Sequence, residues 1–155
     1  MKRLAVAAGL AVSLLLILSS VAFAADLRGT GDVHAWGDGM AGVEGNVETT
    51  VTGNGMLFIR DRGGDGEWRV SGTGRRRHLP GGWTMVMGFV GAVEAQGSRI
   101  TVVLSGYDID LWAEGTRVVL LFGEGGYVAR HGDEPWSTER PWPGKVEKVR
   151  LGSFD

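Results

Sequence analysis

The chain has 155 residues, with 16 Lys and Arg against 18 Asp and Glu, 27 glycines and no cysteine. The small negative balance gives no general attraction to nucleic acid or to an anionic membrane. The missing cysteine excludes disulfides, thiolate metal sites and cysteine nucleophiles.

Lys2 and Arg3 precede an apolar run from Leu4 to Leu18, and Ala22-Phe23-Ala24 has the small-x-small form of a signal-peptidase site. Residues 1–24 therefore read as an export signal cleaved after Ala24 or one residue later, placing the protein in the periplasm or outside the cell. The competing reading is a retained anchor, since Leu4 to Ala24 is 21 residues, just enough to span a bilayer. Ser13, Ser19 and Ser20 within that stretch favour cleavage, after which no membrane span remains. The mature chain of 131 residues is one domain, with 14 basic and 18 acidic residues. It must be held by packing and backbone hydrogen bonds alone. Twenty-six of its residues are glycine, well above the usual ~7%. That composition suits a chain that turns often.

The glycines keep time. Gly29, Gly37, Gly45 and Gly53 are eight residues apart, and Gly72, Gly81, Gly88, Gly97, Gly106, Gly115 and Gly123 continue at intervals of seven to nine. Between them lie short segments rich in Val, Ile, Leu, Thr and aromatics, which a strand plus a tight turn accounts for. Apolar and polar residues alternate at Val47–Val51, Ile100–Leu104 and Ile109–Ala113, and no helical period with caps follows the export signal. The expected fold is all-β, ten to twelve short glycine-punctuated strands over residues 25–131. Two architectures fit: a β-solenoid, which the period favours, and an antiparallel meander closed as a barrel or sandwich. Met56–Ile59, Met85–Met87 and Val118–Phe122 are apolar on both faces, so the tryptophan-containing tail or a second sheet is expected to cover them. Residues 132–155, with Pro135-Trp136 and Pro141-Trp142-Pro143, are either a loosely ordered terminus or a cap for the last strand edge.

The motifs that spell chemistry meet simpler explanations. Gly37 to Gly42, GDGMAG, matches a dinucleotide phosphate loop but is followed by strand and turn rather than by a helix, so no cofactor is expected. Asp61, Asp65 and Glu67 put three carboxylates in a glycine-rich loop, yet neither the EF-hand nor the calcium β-roll spacing holds. An acidic turn is preferred there over a weak calcium site. Asp32 and His34 share a strand face without a visible third metal ligand. Three readings point to ligand contact. Arg75, Arg76 and Arg77, with Trp83 nearby, form a basic run able to grip a polyanion, although such a run is usually a solvated turn. Asp108 and Asp110 are expected on one strand face about 6–7 Å apart, within the range of glycosidase carboxylates, with Trp112 following. Alternating acids on an exposed strand more often only solubilise it. Trp36, Trp68, Trp83 and Trp112 are candidate sugar platforms.

The stretches VTGNGMLFIRD, VSGTGRRR, GSRITVVLSGYDIDLWAEGT and VVLLFGEGGY resemble the glycine-punctuated strands of small exported bacterial β-repeat proteins of the GIN, putative adhesin head-domain type. The resemblance covers roughly Gly29 to Tyr127, implies an adhesive role, and brings no catalytic residues. The sequence departs from it in having few serines at turns and three consecutive arginines. The resulting expectation is an exported, non-enzymatic cell-envelope module with a structural or binding role, its partner an envelope polymer or protein. The alternative is a carbohydrate-binding or glycoside-active secreted domain.

Overall fold

The computed structural model describes residues 27–143, with side chains from Gly29 onward. Residues 1–26, on which the expected export signal falls, and residues 144–155 lie outside the described residues. The described chain is all-β. Strands β1 (Leu27–Asp61), β2 (Glu67–Leu79), β3 (Trp83–Arg130) and β4 (Arg140–Pro141) are broken by one 3₁₀ turn at Pro80–Gly82. All pairing is antiparallel, in one sheet that does not close.

The chain is one long hairpin wound back on itself. Its tip is the Pro80–Gly82 turn, flanked by the pairs Leu79–Trp83 and His78–Thr84. From there one ladder runs down β2 and β1 as far as Asp32–Arg130. A second ladder lines the other side of β1. Val43 sits between Val102 and Val119, Ala35 between Leu111 and Tyr127, and Val51 between Val93 and Leu111. Two β3 segments that both run antiparallel to the same β1 residue must run parallel to each other. They are sixteen to eighteen residues apart, so the ribbon comes round once in that interval. Two passes per turn reproduce the eight-residue glycine beat.

The expectation of ten to twelve short strands is therefore replaced by a few very long ones that bend at glycines without interrupting the ladder. At the bends glycine faces glycine: Gly37 opposite Gly125, Gly39 opposite Gly123, Gly53 opposite Gly91 and Gly55 opposite Gly106. Gly37 shows why. Its φ is +152°, and a Cβ there would lie 2.2 Å from the Glu124 carbonyl oxygen and 2.6 Å from the Gly125 Cα. Both obstacles are backbone, so neither can swing aside. GDGMAG is one such corner.

One face of the sheet turns inward all the way round. Val33, Ala35, Val47 and Val51 from passes on one side of the coil share a buried cluster with Ala41, Val43, Leu57 and Ile59 from the other side, and Phe89 and Leu111 complete it from β3. Trp142 of the tail enters the same cluster and donates its indole N–H to the Gly126 carbonyl at 2.9 Å.

The outward face is divided by the corners into two unlike panels. On one, Met40, Met56, Met85 and Met87 gather around Phe58, Trp83, Val103 and Leu120. These are residues of the doubly apolar runs, together with Met40, Trp83 and Val103. The expected cover is not found among the described residues: Trp142 is inside the coil, Trp136 packs on Trp112 of the other panel, and the strands form a single sheet. The panel's larger side chains instead pack on one another. The Phe58 and Trp83 rings meet edge to face at 6.5 Å, and the Arg60 guanidinium lies 5.4 Å over Trp83. Flexible methionines fill such irregular gaps well.

Arg117 locks the corner where Gly31 faces Gly115. It is only 4% exposed, and its Nη1 donates to both glycine carbonyls, to Gly115 at 2.6 Å. Burial disfavours its charge, while Asp32 and Glu114 nearby favour it. An arginine remains cationic under such opposed pressures.

Two outcomes follow. Gly37→Val should abolish the native far-UV and near-UV circular dichroism, because a β-branched residue adds a backbone clash to a positive φ worth about 1–3 kcal/mol by itself. Arg117→Ala should lower unfolding free energy in urea by about 2–4 kcal/mol, since it strands two buried carbonyls.

Candidate functional site: a tryptophan-flanked groove

The second outward panel is polar. Residues directly opposite on paired strands share a face, so the register reads out its rows. One row runs Glu67, Gln96, Glu48, Glu114, Asp32, Arg130, and the next runs Arg69, Glu94, Thr50, Trp112, His34, Val128. A 490 Å³ cavity lies over the β2 end of these rows, between Glu67, Gln96 and Glu48 on one side and Arg69 and Glu94 on the other, and a 240 Å³ cavity over the tail end, walled by Trp112 and Trp136. Glu48, Thr49 and Thr50 line both, so the two join into one shallow groove across the strands. Five strand spacings make it about 24 Å long.

The aromatic end is built from below. His34 stacks flat under Trp112, ring centroids 3.8 Å apart and planes 12° apart, and leans on Trp36 at 4.8 Å. Nε2 of His34 is 2.9 Å from the Asp110 carboxylate, which fixes the imidazole in that plane. Trp136 meets Trp112 edge to face at 6.0 Å, and the Arg130 guanidinium lies 4.9 Å over the Trp136 ring. The tail is held at this point by Ser137, whose amide donates to the Ala129 carbonyl at 2.8 Å and whose hydroxyl accepts from the Ala129 amide at 3.1 Å. Arg130 is in turn paired with Asp32. Trp112 stays 47% exposed and Trp136 38%, whereas Trp68, 39% exposed, lies on the opposite face with Ala95 and Val70. Large rings held half in water beside a cavity are the usual furniture of a binding surface.

The sequence candidates separate in space. Trp112 and Asp110 belong to this groove. Asp108 does not pair with Asp110 as expected: its φ is +52°, in a bulge where Gly53 loses its β3 partner on that side. The Asp108 carboxylate accepts from Asn54 Nδ2 at 3.0 Å, and its amide donates to Asp38 at 2.8 Å. The two acids are engaged by different neighbours, and no facing carboxylate pair results. Trp83 is buried in the methionine panel. Arg75, Arg76 and Arg77 are exposed on β2, the strand with a ladder on one side only. Arg75 and Arg77 lie opposite Met87 and Met85, while Arg76, opposite Val86, points to the other face. The basic run and the Trp112 groove are thus on different surfaces. His34 and Trp136 complete the groove. His34 had drawn notice only as a metal candidate; Trp136 is far away in sequence, and nothing in a single strand's pattern announces it.

The acidic loop is a self-contained turn. The Asp61 carboxylate accepts from the amides of Gly63 (2.8 Å), Gly64 (2.9 Å) and Gly66 (2.9 Å), and Asp65 accepts from the Ser98 amide and hydroxyl. Among the described residues no group of three or more His, Asp or Glu is placed to hold a metal ion. Comparison of the chain with protein-family models, curated proteins and solved structures gave no match.

The backbone amides of Gly64, Gly66 and Gly63 hold the Asp61 carboxyl below its ordinary value of 3.8. A depressed folded value means that the ionised carboxylate stabilises the loop above the unfolded-state pKa, and that this support is lost as pH falls through the folded value. An NMR titration should therefore place the Asp61 midpoint below 3.8, with the Gly63, Gly64 and Gly66 amide shifts following the same curve. A midpoint at or above the ordinary value would disprove the three-amide cradle.

Proposed function

We propose that the protein is an exported, non-enzymatic binding module of the cell envelope that holds a polymer along the groove that ends at Trp112 and Trp136. The observation that carries this reading is Trp112, a half-exposed ring fixed by the His34 stack beside a cavity. A fixed aromatic face beside polar side chains matches the alternating apolar and hydroxylated faces of a sugar ring, which makes a polysaccharide the favoured polymer. The groove's length supports a chain ligand over a single small molecule. Asp108 and Asp110, each engaged elsewhere, support binding over glycoside cleavage. The export signal and the resemblance to adhesin head-domain repeats favour an envelope setting. We read the architecture as a wound hairpin, combining a solenoid's regular recurrence with a meander's antiparallel neighbours.

Co-sedimentation with insoluble cell-wall polysaccharide tests the proposal. The protein should be retained, and Trp112→Ala should weaken retention about tenfold or more while leaving circular dichroism unchanged, as expected for an anchoring aromatic. Retention unaffected by Trp112→Ala and Trp136→Ala would refute a role for the groove.

A further inference from the structure

We propose that the methionine panel is a docking face for the surface of an anionic lipid bilayer. It lies on the other side of the coil from the Trp112 groove and stands apart from that reading. One outward row runs Arg75, Met87, Met56, Ser105, Met40 and Phe122, and the next starts with Arg77 and Met85. All four methionines after Met1 thus meet on one outward face, brought there from three passes of the chain. Met40, Met56 and Met87 stay partly exposed, and Phe122 is 42% exposed. Soft, flexible side chains of this kind suit a partner without a fixed shape.

Charge is sorted between the two panels. The polar rows hold Asp32, Glu48, Glu67, Glu94, Asp110 and Glu114 against Arg69 and Arg130. The methionine rows hold Arg60, Arg75 and Arg77, and their acid, Glu44, is paired with Arg62 at 3.4 Å. Arg75 and Arg77 make no ion pair or hydrogen bond among the described residues. The small net charge of the whole chain conceals this sorting. Unspent cations bordering an apolar face are what an anionic membrane surface takes: the apolar groups enter the headgroup boundary while the cations attract lipid phosphates. Thr101 adds a separate observation. It is 4% exposed, lies directly opposite both Arg60 and Glu44, and its hydroxyl has no hydrogen-bond partner. A lipid phosphate drawn in beside Arg60 supplies the missing acceptor.

The chain also joins the fold at this panel. Leu27 pairs with Val119, between the panel's Val118 and Leu120. The apolar run from Leu4 to Leu18 ends nine residues before Leu27, a reach of about 30 Å at most. A membrane that takes up that run therefore brings this face with it. A second copy fits less well, because two such panels face to face bring three arginines from each side into one interface.

The test floats the protein as its host processes it, its N terminus read by mass spectrometry, with phosphatidylglycerol or phosphatidylcholine vesicles at low and high salt. Binding to phosphatidylglycerol should be at least about tenfold tighter, and should weaken as salt shortens the Debye length. Arg75→Glu combined with Arg77→Glu should lower that affinity about tenfold or more. Circular dichroism should not change, since both side chains are exposed. Brominated acyl chains should quench tryptophan fluorescence, and Trp83→Phe should remove more of that quenching than Trp112→Phe. No binding to either vesicle overturns the proposal, as does quenching that follows Trp112 instead. Binding that ignores both lipid charge and the double arginine variant also overturns it, because an embedded N-terminal segment alone gives that result. Equal affinity for soluble polyphosphate, without quenching, replaces the bilayer with a free polyanion. A lipid-free dimer in light scattering that Met56→Asp dissolves makes the occupant a second copy.

Discussion

The structure depends on how closely two antiparallel strands can approach at a bend. A β-strand of 35 residues cannot stay straight in a domain of this size, and it cannot bend sharply with a side chain pressed against its partner's backbone. Glycine on both limbs at the same corner solves both problems at once. Gly55 and Gly106 make the point: a Cβ on Gly106 would lie 1.8 Å from the Asn54 carbonyl oxygen. Because the corners do not break the ladder, backbone hydrogen bonds run nearly unbroken along β1 and β3, and the coil needs no disulfide. The single-ladder edge at β2 is one of the sheet's open edges, and it carries three arginines in a row, a charge pattern that discourages further strand addition.

The coil gives each pass one inward and one outward row, and this divides labour among side chains. Inward rows are nearly uniform in Val, Leu, Ile and Ala, because they all meet in one core. Outward rows differ from one side of the coil to the other. The methionine panel uses soft side chains that pack laterally. The polar panel keeps Trp112 and Trp136 partly in water and lines up carboxylates that repel one another. That second arrangement adds nothing to the packing of the fold. His34, Asp110 and Trp112 come from two chain segments 76 residues apart in the case of the His34–Asp110 contact, yet they form one rigid platform because the register sets them on neighbouring strands.

Several features were readable from residues one at a time. The alternation of Ile109, Leu111 and Ala113 with Asp110, Trp112 and Glu114 gives the strand and its buried face, and the burial follows it residue by residue. The doubly apolar runs flagged an unusual outer surface, and they do share one panel. The pairing of Asp108 with Asp110 failed for a local reason: strict alternation assumes no bulge, and a positive φ at Asp108 inserts one. Trp83 failed for a different reason. A tryptophan beside a basic run looks exposed in sequence, but its strand faces Phe58 and Arg60.

The sequence by itself determined the all-β class, the eight-residue beat and the inward rows, because strand periodicity and the steric demands of glycine are local properties. Only the tertiary structure decided that the beat is half a turn of a wound antiparallel hairpin, since a period does not say which strand lies beside which. It also decided the groove. Glu48, Trp112 and Trp136 are separated by long stretches of chain, and their meeting is set by ladders offset by sixteen to eighteen residues. No spacing along one strand encodes that offset.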